Sequence, residues 1–216
     1  MNNNHSDTPK KNRLASFVIW LGFGIVLVLL LGMLIPSNGP RTVAFNIAAH
    51  NDEMQIVAAI KAYHTEYGRY PVNPGASGVA VFSKDNNLLF DVLRNRTGML
   101  DGNALNPRNV VILEVPAVRD EKNPMGGLQK STGVWYDPWG SPYHIAINLD
   151  KDAAFDGKTS IPNFYSDVGR LGSDIIAWSY GPNGKLGGGP ALKLGFSNEP
   201  GAAGKLFGSG DIVSWK

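Results

Sequence analysis

A chain of 216 residues with a formal charge of +2 and no cysteine is already narrowly bounded. Without a thiol it has no disulfide, no cysteine nucleophile, no cysteine-based zinc site and no lipid-modified cysteine. Its 20 basic residues are scattered rather than gathered in a stripe, which argues against nucleic acid as a partner. The 26 glycines and 14 prolines favour turns and long connections over a helical bundle.

The first 13 residues are polar and end in Lys10, Lys11 and Arg13. An uncharged apolar run over 14–35 follows. At helical rise it spans about 33 Å, enough for a hydrocarbon core of ~30 Å. A transmembrane helix is therefore expected over 14–36, surrounded by membrane lipid. The positive charges before it place 1–13 in the cytoplasm and 37–216 outside. The run is longer than the apolar part of a secretory signal, and no small-residue cleavage site follows it, so a retained anchor is expected.

Beyond Pro36 and Pro40, residues 42–67 carry apolar side chains at Ile56, Ile60, Tyr63 and Tyr67, with Val57 beside them. That spacing predicts a helix with one buried face. Gly68 stands where a C-cap belongs and Pro71 prevents continuation. His64, next to the stripe, reads as a partly buried helix residue rather than a ligand. A shorter helix is expected over 87–95, capped by Asn86 and stopped near Gly98.

The rest reads as short strands between turns: 78–82, 110–115, 143–147, 175–179 and 212–215. No strand–helix alternation appears, so the expected fold is α+β, with one long helix on a mainly antiparallel sheet.

Catalytic signatures are not found. His5, His50, His64 and His144 have no metal-ligand spacing, and no nucleophile elbow occurs. The segment 181–185 has two residues between its glycines where a phosphate loop needs four, so it reads as a turn. Asp150, Asp152, Asp156 and Gly157 depart from calcium-loop spacing and read as a solvated hairpin. A non-enzymatic protein is expected.

Three ordered segments carry a family likeness: Tyr67-Gly68-Arg69-Tyr70-Pro71 at the end of the long helix, Asp137-Pro138-Trp139-Gly140, and Ser179 to Lys185 followed by Asp211-Ile212 near the end. Together they resemble the major pseudopilin of type II secretion systems, within the type IV pilin-like class. The likeness covers 42–216, and its middle, 72–134, matches least. It implies a pilin-like head on an inner-membrane anchor, with other pseudopilins or secretion-system membrane proteins as partners. It also implies calcium in a C-terminal loop, with Asn183 where the family has an acidic residue and Asp211 as the closing ligand. Packing of Leu192, Leu194, Phe196 and Phe207 is the alternative way to hold that loop.

Two departures stand out. The family cuts after a glycine that precedes a mature helix with a glutamate near its start. Here Gly22 and Gly24 lie inside the apolar run, so prepilin-type processing is not expected. Pro36 and Pro40 interrupt a helix that the family keeps long. The alternative from a different class is a stand-alone, membrane-tethered, extracytoplasmic ligand-binding module.

The Asp137-Pro138-Trp139-Gly140 segment has a physical reading of its own. Proline fixes one dihedral, aspartate bonds its own backbone, and glycine allows positive φ. Trp139 and Tyr63 are expected in the core.

Overall fold

A computed structural model describes residues 17–22, 24, 39–96, 105–150, 155–156, 161, 164–187, 206 and 211–215. The chain divides into two units, 1–42 and 43–216. In the first unit residues 17–22 are helical, and the side chains of Phe17 to Leu21 are exposed, Trp20 by 75%. Most of the apolar run 14–35 lies outside the described residues. Among the described residues no helix is long and apolar enough to cross a membrane.

The second unit is α+β. Helix α1 runs Gly39–Tyr67, starting three residues before the expected 42. Pro40 sits in its first turn, where a missing N–H costs nothing because no helical acceptor precedes it. The expected stripe is the buried face: Ile56, Ile60 and Tyr63 are fully covered and Tyr67 is half-covered. The helix stops at Gly68, whose φ of +67° and bond from N–H to the His64 carbonyl (2.8 Å) form the expected left-handed cap.

The main sheet has four antiparallel strands in the order β1-β4-β5-β6: β1 Val79–Phe82, β4 His144–Asn148, β5 Ile175–Ser179 and β6 Ile212–Val213. Central strands β4 and β5 are buried along their whole length. Ile145 pairs with Ala177 and Ile147 with Ile175 on the face covered by α1. Ala146 and Ile176 lie on the other face with Trp178 and Val213, under Phe155, Ile161, Phe164, Tyr165 and Leu206. Two buried faces explain why these strands read as continuous apolar runs rather than alternations.

A second helix, α2 (Asn87–Leu93), packs Leu89, Phe90, Val92 and Leu93 into the helix-side core. The stop expected at Gly98 lies outside the described residues. Asn86 precedes this helix but makes no side-chain cap. Instead it is fully buried, donating to the carbonyls of Trp135 and Tyr143 (3.0 Å each) and accepting from the Trp135 N–H (3.1 Å).

Residues 110–115 are not a strand. Ile112 and Leu113 donate to the single Leu93 carbonyl, and Asn106 holds both the N–H and the carbonyl of Val110. Side-chain bonding takes the place of a ladder there. The sequence also hid a small two-stranded pair, β2 (Gly127–Leu128) with β3 (Trp135–Tyr136).

Candidate functional site

The Asp137-Pro138-Trp139-Gly140 segment forms the expected turn. Asp137 Oδ1 accepts from the N–H of Trp139 (2.9 Å) and of Ser141 (2.8 Å), and Gly140 takes φ +93°. Asp137 Oδ2 accepts from the Ser179 hydroxyl, so the turn is fastened to the end of β5. Trp139, however, is only half-buried, its ring set edge-on to Phe45 of α1 at 5.9 Å. The fully buried tryptophan is Trp135, between Phe90 and Tyr143. Trp135 on β3 is inside, whereas Trp139, in the turn that follows, is held half-exposed even though Asp137 and Pro138 of the same turn are buried.

Under this turn α1 contributes two more acids. Asp52 accepts from the Tyr143 hydroxyl at 2.8 Å. Glu53 is completely buried. Neither of its carboxyl oxygens makes a well-formed hydrogen bond, although the Ser179 backbone comes close enough to favour the ionised form, against the larger effect of burial. Burial pushes Asp52 and Asp137 up from the usual carboxylate range and pushes Glu53 up to about 9. The charges of Asp52 and Asp137 push Glu53 further in the same direction.

Tyr143, held against Asp52, is raised by burial and by the carboxylates around it. Glu53 had a sequence signal that went unread. It lies four residues after Ala49 and three before Ile56, on the buried face, where an acid is out of place.

Asn183 and Asp211, the expected calcium ligands, are both engaged within the protein. The segment 181–185 is the expected turn, with a 3-10 helix over Gly181–Asn183 and Gly184 at φ +61°. Asn183 Oδ1 accepts from the Lys185 N–H at 2.7 Å, an Asx turn. Asp211 Oδ2 accepts from the Tyr165 hydroxyl (2.7 Å) and from the Gly187 N–H (3.0 Å).

These two side chains carry three oxygens between them, where calcium takes roughly six to eight. Among the described residues no group of three or more acidic, histidine or cysteine side chains is placed to hold a metal ion. Leu192, Leu194, Phe196 and Phe207 lie outside the described residues, while Leu206 is buried in the far-side core. Of the acidic hairpin, Asp150 accepts from the Gly78 N–H at 3.1 Å and Asp156 pairs with Arg170 through an isolated antiparallel backbone bridge, while Asp152 and Gly157 are outside the described residues.

The remaining histidines are accounted for in different ways. His64 is half-buried with its ring against Tyr70 at 4.6 Å. It helps line an open cleft of about 450 Å³ with Lys61, Thr65, Tyr70, Ser173 and Asp174. His144 stacks between Trp178 and Tyr180 with Nδ1 2.9 Å from the Ser83 hydroxyl, and burial lowers its pKa to about 4. His5 lies outside the described residues.

On the other flank, α1 exposes Val43, Ile47 and Met54 by 39%, 57% and 47%. Ile47, His50 and Asn51 form one wall of a second open depression whose other wall is Asp211, Ile212 and Val213 at the sheet edge. No family of known proteins, no curated protein and no solved structure matches the chain.

Proposed function

We propose that this chain is a pseudopilin-like, non-enzymatic component of a type II secretion or pilus-like envelope apparatus, working through protein–protein contacts. The observation that carries the reading is the division of labour along α1. From Ala49 onward one face is sealed onto an antiparallel sheet, while the first turns hold Val43 and Ile47, and the other face Met54, out to solvent. An apolar stripe left exposed on a helix whose other end is packed suits a partner surface.

The uncharged run 14–35 supports a membrane anchor ahead of that helix, with the head outside. The turn motifs at 68–71, 137–140 and 179–185 support a pilin-like head. Asn183 and Asp211 remain the proposed calcium ligands.

The anchor is tested in native membranes by alkaline extraction and mass spectrometry of the protein. Residues 1–22 are expected to be present in a membrane-retained chain. A mature N-terminus at Phe23, or release of the chain by alkali, refutes the retained anchor.

A second reading, a membrane-tethered ligand-binding module, is favoured by the cleft at Lys61, His64, Tyr70 and Asp174. It combines an aromatic platform with charges of both signs. A soluble ligand that protects Tyr70 from modification, with no protein partner recovered, would select it.

A further inference from the structure

Glu53 is a buried acid that neither the partner surface nor the calcium site uses. It has zero exposure, and neither carboxyl oxygen makes a well-formed hydrogen bond, the Ser179 backbone being the nearest donor. Every element around it brings a group toward it. Its own helix brings His50, with Nδ1 3.8 Å from Oε2, and Asp52. The turn brings Asp137, the approach to β4 brings Tyr143, and the end of β5 brings Ser179. Beyond these, Tyr165, bonded to Asp211, senses the Glu53 charge. In that set only His50 can carry a positive charge, and it is half-exposed.

We propose that Glu53 is a proton-binding site that makes the seating of α1 on the sheet depend on the surrounding pH. With the carboxyl protonated, the helix lies down over Ser179 and the Asp137 turn. Loss of the proton to water leaves a bare carboxylate between two others, and the helix lifts locally to hydrate it. A leucine would pack at this position, and a glutamine would stay neutral at every pH. An acid there weakens the contact at neutral pH, and the return is a contact that titrates.

Burial sets the titration. An open carboxyl ionises near its ordinary value of 4.5 and the seated one at about 9, so between these limits each unit of pH favours release tenfold. The sign follows from the raised pKa: seating is strongest below 4.5, weakens as pH rises, and is weakest above about 9. The residues one to three turns before Glu53 include Val43 and Ile47, so release alters how that exposed stripe is held.

The test uses the full chain purified in detergent, with Glu53→Gln as the titration-free counterpart. Hydrogen exchange over 49–60 is compared between the two proteins at the same pH, so that intrinsic rates cancel. The wild-type-to-variant protection ratio should fall about tenfold per pH unit between pH 5 and 9. The ratio over β4 and β5 should stay level.

A flat ratio over 49–60 overturns the proposal. So does an equal fall over the two central strands, which would mean general unfolding rather than helix release. If the variant does not fold, carbon-13 NMR of the wild-type Glu53 carboxyl decides alone. Titration near pH 9 supports the proton site, and titration between pH 4 and 5 overturns it.

Discussion

Asn86→Ala is the most demanding test of how the head is held together. The Asn86 side chain makes three buried hydrogen bonds, two to carbonyls and one from the Trp135 N–H. Removing it strips the Trp135 N–H of its acceptor, while the Trp135 carbonyl keeps a bond from the Tyr143 N–H at 3.1 Å. An abandoned buried donor costs about 1–3 kcal/mol, and each of the other two lost bonds contributes roughly 0.5–1.5 kcal/mol. The sum is about 2–6 kcal/mol.

For a domain of this size that is a fall in Tm of roughly 4–24 °C, at about 2–4 °C per kcal/mol. Melting followed by circular dichroism at neutral pH reads it directly. Asn86→Asp should also destabilise, because it keeps the acceptor for Trp135 but loses both donors. A Tm within ~2 °C of wild type for Asn86→Ala, less than the lower bound allows, would refute this bonding pattern.

Two further outcomes follow from the far face of the sheet and the C-terminal turn. His144 titrates at about 4 when folded and near 6.5 when unfolded, so wild type should lose stability relative to His144→Phe as pH falls through that window. The loss is ~1.4 kcal/mol per unit, read from urea midpoints, and parallel pH profiles would exclude a buried neutral histidine. Calcium at Asn183 and Asp211 should raise the melt of wild type by ~2.7 kcal/mol of stability at about a hundredfold over its Kd, and should leave Asp211→Ala unmoved. Superimposed wild-type curves in calcium and in chelator would refute that ion.

Much of this fold was legible in the chain because its signals are local. The stripe at Ile56, Ile60 and Tyr63 marks α1, and the apolar run 175–179 between polar neighbours marks β5. Gly68, Gly140 and Gly184 each mark a turn that needs positive φ.

What stayed hidden depends on contacts distant in sequence. β2 and β3 are two residues long, too short for any periodicity. Residues 110–115 have strand-like composition but meet Asn106 and Leu93 instead of a ladder. Asn86 looks like a helix cap until the fold brings Trp135 and Tyr143 to it. Trp135 and Trp139 are four residues apart and compositionally alike, and only the path of β3 decides which one is buried. The acidic cluster was half-legible: Glu53 interrupts an apolar face, whereas its juxtaposition with Asp137, 84 positions later in the numbering, needed the tertiary structure.

The proposed role in an envelope apparatus rests on the exposed first turns of α1, and site-specific crosslinking from Ile47 addresses it directly. The chain has no cysteine, so Ile47→Cys provides a single reactive position on that stripe. Crosslinking in native membranes, followed by mass spectrometry of the adducts, should yield other pseudopilins or secretion-system membrane proteins. A cysteine placed instead at exposed Lys61, in the cleft wall, should yield far fewer. An Ile47→Cys chain that stays monomeric in the membrane, or that captures no more protein than the Lys61 position does, would contradict a partner surface on α1.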